Sequence, residues 1–177
     1  MFRVIRLFFY QEYKMKRKVL VLLAALLLLP LTGAFSFGVG LQFNGNAGAV
    51  FEPGPAITFK LDSVPLVFAV NWFIGDDTTT VGLTGDYWAI NDRLGNLGSL
   101  GINWFFGFGF FANTVFADEF GINAGMRLPL GLNAFLAKGT FEPFIQVAPS
   151  FGLNFLPSFG LSDFFFPISA GFRIWFK

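Results

Sequence analysis

From residue 36 onward, large apolar residues occupy every second position in segment after segment, with small or polar residues between them. In SFGVGLQFN (36–44), Phe37, Val39, Leu41 and Phe43 form one set; Gly38, Gly40, Gln42 and Asn44 form the other. AITFKLDS (56–63) sets Ile57, Phe59 and Leu61 against Thr58, Lys60 and Asp62, and LVFAVNWFI (66–74) gathers Leu66, Phe68, Val70 and Trp72. VGLTGDYWA (81–89) opposes Val81, Leu83 and Tyr87 to Gly82, Thr84 and Asp86. LGINWFFGFGFFANTVFA (100–117) carries no charge and is long enough to cross a bilayer as a helix. Its residues alternate instead: Leu100, Ile102, Trp104, Phe106, Phe108 and Phe110 against Gly101, Asn103, Phe105, Gly107, Gly109 and Phe111. FGINAGMRLPL (120–130) sets Phe120, Ile122, Ala124, Met126 and Leu128 against Gly121, Asn123, Gly125 and Arg127. FEPFIQVAPSFGL (141–153) sets Ile145, Val147 and Phe151 against Glu142, Gln146, Ser150 and Gly152. FPISAGFRIWF (166–176) sets Phe166, Ile168, Phe172, Ile174 and Phe176 against Ser169, Gly171 and Arg173. A period of two belongs to strands. In a helix the glycines would be scattered around the circumference, each weakening it by roughly 1 kcal/mol relative to Ala, and the eight prolines from Pro53 to Pro167 work against continuous helices.

Eight segments of about ten residues, separated by Gly-, Asp-, Pro- or Asn-bearing breaks, predict an all-β fold: an eight-stranded antiparallel up-and-down transmembrane β-barrel over residues 35–177. An open sheet would leave backbone groups unpaired in lipid, so a spanning sheet must close. Composition decides which face looks outward. Apolar residues make up 54% of the chain and charged residues 13%, with Phe at 28 positions; about a quarter of a typical soluble domain is charged. A soluble eight-stranded barrel would turn its large apolar set inward and a charged set outward. Here the polar set is mostly Gly, Asn, Ser and Thr with six charges, which suits a narrow lumen. The large set therefore faces lipid.

The first 34 residues read as targeting. Lys14, Lys16, Arg17 and Lys18 precede VLVLLAALLLLPLTGA, an apolar run ending in Pro30 and small residues, the pattern of a helical secretory signal peptide. Its core is short for a spanning helix, which needs about 20 residues. Met15 is a second candidate start, which would make residues 1–14 an upstream extension. Cleavage after Ala34 or Ser36 leaves Lys60, Arg93, Arg127, Lys138, Arg173 and Lys177 against ten carboxylates. The exported part is acidic, and no basic patch supports nucleic-acid binding. The chain has no Cys and no His. That removes disulfides, thiolate metal sites, the commonest general base and any Ser-His-Asp arrangement. No catalytic residue, cofactor or metal site is expected, and the chain is not read as an enzyme.

With both ends periplasmic, the outer breaks carry Glu52, Asp76, Asp77, Asp118, Glu119 and Asp163 and no base, whereas the periplasmic turns carry Asp92, Arg93 and Lys138. The chain ends FRIWFK, with Phe172, Ile174 and Phe176 on one face before Lys177. This resembles the C-terminal signal that outer-membrane barrels present to the barrel-assembly machinery. RLPLGL (127–132), FEPFIQVAPSFGL (141–153) and this aromatic end together resemble the small eight-stranded outer-membrane barrels of spirochaetes, relatives of OmpA-type and OmpW-like transmembrane domains. The resemblance implies an integral protein of the bacterial outer membrane, surface-exposed, with a structural, porin-like or host-contact role.

Six charges share the lumen face: Lys60, Asp62, Asp86, Arg127, Glu142 and Arg173. Isolated buried charges cost several kcal/mol each, so an ion-pair network is expected, either static or able to exchange partners as a gate. Asp86 and Glu142 as an acid–base pair would need a substrate cleft that nothing marks. Trp72 and Tyr87 lie in the lipid-facing set near opposite ends, as interface anchors do. The last outer loop, NFLPSFGLSDF (154–164), is apolar for an exposed loop. It suits a host molecule or small hydrophobic ligand at the extracellular mouth, or folds over the rim as a lid. Two functions follow: a structural or surface-interaction barrel whose lumen is largely closed by ion pairs, or a narrow porin-like channel for small or hydrophobic solutes.

Overall fold

The structure, a computed structural model, describes residues 36–47, 54–98 and 100–176. The expected leader (1–34), Glu52 and Lys177 lie outside the described residues.

Eight antiparallel strands form one closed wall. They are β1 (Phe37–Ala47), β2 (Gly54–Leu61), β3 (Leu66–Ile74), β4 (Thr79–Leu97) and β5 (Leu100–Phe116), followed by β6 in two parts (Gly121–Arg127 and Leu130–Ala134), β7 in two parts (Phe141–Val147 and Ser150–Leu156), and β8 (Phe166–Phe176). Each pairs with its neighbours in sequence, and β8 returns to β1 along its full length, Phe37 facing Phe176 and Ala47 facing Phe166. Closure pairs the described strands on both sides around the barrel, and the end of β4 beyond Trp88 runs on with β5 alone.

Following facing residues once around the wall, from Phe37 through Leu61, Leu66, Tyr87, Phe108, Leu128, Pro149 and Phe166, returns to β1 at Ala47. The return point is ten residues further along β1 than the start. For eight strands with ordinary rise and spacing, that stagger corresponds to a tilt of about 40°. Such a barrel is just wide enough for side chains to fill it.

The breaks in β6 and β7 fall at Pro129 and Pro149, which cannot donate to a ladder. Their carbonyls still accept, Pro129 from Gly107 N–H at 2.9 Å and Pro149 from Leu128 N–H at 2.9 Å, so the wall is continuous.

One expectation is corrected here. The break between the fourth and fifth segments, which carries Asp92 and Arg93, reads as a periplasmic turn, yet β4 continues to Leu97, paired with β5 as far as Leu100. Register shifts between Trp88 and Ile90 and between Arg93 and Gly95 explain the lost period. Asp92 and Arg93 therefore sit in a hairpin arm on the side of the termini, with Gly98 at its turn.

The two faces separate by parity. Leu41, Ile57, Val70, Leu83, Phe108, Ile145, Ile168 and Ile174 are exposed on the outside, while Gln42, Thr58, Asn71, Thr84, Asp86, Gln146, Ser169 and Arg173 are buried inside. Aromatic rings tile the outer wall across strands: Phe37 on Phe176 at 5.3 Å, Tyr87 on Phe108 at 5.2 Å, Phe141 on Phe172 at 5.3 Å.

Candidate functional site

The interior is organised by glycines on the inward face. Gly40 on β1 faces Thr58 on β2 and Arg173 on β8. With no Cβ between them, Arg173 Nε reaches across β1 and donates to Thr58 Oγ1 at 3.2 Å. A Cβ at Gly40 would run into the Phe172 carbonyl and Arg173 Cα. The same arrangement recurs on the far wall, where Gly109 on β5 lies between Asp86 on β4 and Arg127 on β6. Arg127 Nε approaches Asp86 Oδ1 to 3.1 Å there, and a Cβ at Gly109 would collide with that carboxylate. The period-two glycines are gaps through which residues two strands apart meet.

Glu142 forms the larger cluster. It faces Arg173 directly across β7 and β8 and has no exposed surface. Its Oε1 accepts from Lys60 Nζ at 3.2 Å and from Asn133 Nδ2 at 2.7 Å; its Oε2 accepts from Trp175 Nε1 at 2.8 Å and lies 3.3 Å from Arg173 Nη1. Three hydrogen bonds and a second cation in contact surround this one carboxylate, although Arg173 Nη1 itself makes no aligned hydrogen bond. The two cations are also packed on rings: Arg173 Cζ lies 4.0 Å from the centroid of Phe144, and Lys60 Nζ lies 4.1 Å from Trp88. Trp88 stacks on Phe105 at 3.7 Å, nearly parallel at 8°. Lys60, Trp88 and Phe105 thus form a column across the lumen, joined by Val67.

The Asp86–Arg127 pair is barer. The two groups are buried and close, but Asp86 Oδ1, Arg127 Nε and Arg127 Nη2 have no hydrogen-bond partner among the described residues. Contact without alignment leaves mainly the Coulomb attraction.

Of the six charges expected in the lumen, the structure places Lys60, Asp86, Arg127, Glu142 and Arg173 inside, divided between two clusters. Asp62 is the correction: it lies beyond the last residue of β2 and is exposed at the mouth. Its parity is that of Lys60, but its depth is not. The interior set therefore has three cations and two carboxylates, not a balance. Residues the alternation undervalued are Trp88, Phe105, Phe144 and Trp175, all buried. Trp88 shares the parity of Asp86, and Trp175 that of Arg173, which was the available signal.

Trp72 and Tyr87 face outward, Trp72 near the end of β3 away from the termini and Tyr87 opposite Leu66 at the other end. Phe172, Ile174 and Phe176 lie on the outer face of β8, Ile174 and Phe176 exposed. The loop after β7 turns back on itself, with Gly160 and Leu161 pairing against Asn154 and Leu153. Phe165 is turned in, 2% exposed and edge-on to Phe111 at 5.2 Å, while Phe159 and Leu161 are 74% and 85% exposed. The loop thus supplies one ring that covers the lumen and several that point away from it.

No protein-family model matches the sequence, and no curated protein matches it either. Among solved structures the chain is similar to Ail, the attachment invasion locus protein of Yersinia pestis. The identity is 12% and the TM-score 0.41, over 80% of this chain and 96% of that one. It is also similar to Neisserial surface protein A (NspA), at 12% identity and a TM-score of 0.40, over 80% of this chain and 97% of that one.

Proposed function

We propose that the chain is an integral protein of the bacterial outer membrane, exported by a cleaved leader, whose barrel is a closed structural platform for its outer rim. The observation that carries this reading is the pairing of an apolar outer wall with an interior of buried ion pairs and stacked rings. Leu, Ile, Val and Phe cover the outside of the barrel, while the exposed strand charges Asp92 and Arg93 lie in the hairpin arm at the end of β4, and removing that apolar area from water is worth roughly 25 cal/mol per Å². On this reading the Glu142 cluster, the Trp88–Phe105 stack and the Asp86–Arg127 pair obstruct the passage of solutes. The role is non-enzymatic: both interior carboxylates are engaged by cations, and the sequence has no His or Cys. The outer rim, with Phe155, Phe159, Leu161 and Phe164 exposed beside Asp163, is the surface offered to contacts outside the cell. On this reading the outer face of β8 guides insertion before β8 meets β1.

Planar-bilayer recording tests it. The refolded protein should insert without steady single-channel conductance. A large steady conductance would replace this reading by that of a narrow porin-like channel.

A further inference from the structure

We infer that the mouth on the side of the termini is a binding site for a small organic anion with a flat apolar body, a carboxylate or phosphate ester. A cavity of about 300 Å³ opens there, lined in part by Lys60, Asp62, Asn91, Trp88, Phe135 and Trp175. That volume is at the small end for ligand pockets. At about 30 Å³ per water in the liquid, it holds on the order of ten non-hydrogen atoms.

Three observations point to an anion. The interior holds Lys60, Arg127 and Arg173 against Asp86 and Glu142, one positive charge in excess among the described residues. The Lys60 ammonium lies at this cavity and shares its carboxylate, Glu142, with Arg173. An ammonium has three donors, and a lone excess charge in a poorly solvated place is stabilised by any counter-ion that reaches it. Trp88, whose ring lines the same cavity, has a buried indole N–H with no acceptor among the described residues.

The walls specify the rest of the ligand. Trp88, Trp175 and Phe135 surround the ammonium at 4.1, 5.5 and 6.0 Å from Nζ to the ring centroids. They offer apolar and stacking surface to whatever the charge attracts. Asp62, exposed at the rim, opposes the anion and sets how tightly it is held. Aryl carboxylates and aryl phosphates of about ten heavy atoms fit, as does the phosphate end of an anionic lipid reaching over the rim.

The test uses the refolded protein in phosphatidylcholine nanodiscs and reads the four indole N–H signals by NMR during titration with benzoate. Benzoate should shift Trp88 and Trp175 and leave Trp72 and Trp104 in place, whereas benzyl alcohol and benzylammonium should shift none. Asp62→Asn, an exposed change that spares the fold, should tighten benzoate binding by about 3-fold, the scale of one partly screened charge. Lys60→Met, checked for folding by its gel shift, should abolish it. Replacing a third of the lipid by phosphatidylglycerol distinguishes the sources. The same two signals shifting before benzoate is added assigns the site to a lipid phosphate, and shifts with benzoate alone assign it to a soluble anion. The inference is overturned if benzyl alcohol shifts the signals equally, if Asp62→Asn changes nothing, or if neither benzoate nor phosphatidylglycerol moves Trp88 and Trp175.

Discussion

Two carboxylates are buried in this barrel, and the surroundings they have been given differ sharply. Glu142, 0% exposed, has two cations, an amide and an indole N–H around it; Asp86, 2% exposed, has one cation at close range and no aligned hydrogen bond from it. Depth is the same, so depth is not what separates them. The difference lies in how many groups reach each. Arg173 is the directly facing residue to Glu142, with Asn133 and Trp175 contributed by the neighbouring strands. Arg127 reaches Asp86 only across the gap at Gly109, two strands away. Glu142 draws hydrogen bonds from β2, β6 and β8 besides its facing cation, whereas Asp86 has one close cation that does not align with it. The first arrangement holds structure together; the second chiefly fills space with charges that neutralise one another.

That contrast is open to test, beginning where the effect should be largest. Glu142→Gln removes the charge that both Lys60 and Arg173 depend on, and stranding buried cations costs about 3–5 kcal/mol. Urea unfolding of the refolded barrel should show the loss, and adding Lys60→Met should recover part of it, a coupling of about 0.5–3 kcal/mol. Additive effects would mean that Glu142 and Lys60 do not interact. Next comes the gap itself. Gly40→Ala places a Cβ against the Phe172 carbonyl and Arg173 Cα, and overpacking of this kind costs about 1–3 kcal/mol. A stability equal to the parent, measured the same way, would show that the glycines are not needed as gaps. Smallest is the paired replacement Asp86→Asn with Arg127→Met. Because the pair is poorly aligned, removing both charges should change stability by less than about 1 kcal/mol in either direction. A loss as large as that of Glu142→Gln would erase the distinction between the two clusters.

The strands were readable because one physical cause dominates them. A wall with lipid outside and a narrow interior forces large and small residues to alternate, as at Leu41, Gln42 and Phe43, and eight such segments announce eight strands. The end of β4 was not readable, since bulges near Trp88 and Arg93 shift the parity on which the reading depends. Parity also put six charges on the inner face but could not say how deep each lies; Asp62 follows Lys60 by two residues and is already past the strand. Nor could it pair them. That Arg127 meets Asp86 while Lys60 and Arg173 meet Glu142 depends on a stagger of ten residues accumulated over eight registers. No local pattern encodes that sum. The buried aromatics were hidden for a different reason: in a chain with 28 Phe, one more ring does not stand out from its neighbours.

The joint between β1 and β8 has a consequence for the order in which the molecule can be made. Every other strand pair joins neighbours in the chain, but Phe37 faces Phe176 across nearly the whole described sequence. Contacts of such long sequence separation form late, because loop-closure entropy opposes them. Lys60 and Thr58 stand on one side of this joint and Arg173 and Glu142 on the other, with the glycines of β1 between them. None of their contacts across β1 can exist while the sheet is open. The charges therefore act as a latch: until β8 meets β1, Lys60 stays apart from Glu142 and hydrated, and once it does their attraction resists reopening. The barrier to unfolding, more than the rate of folding, is where these residues should be felt.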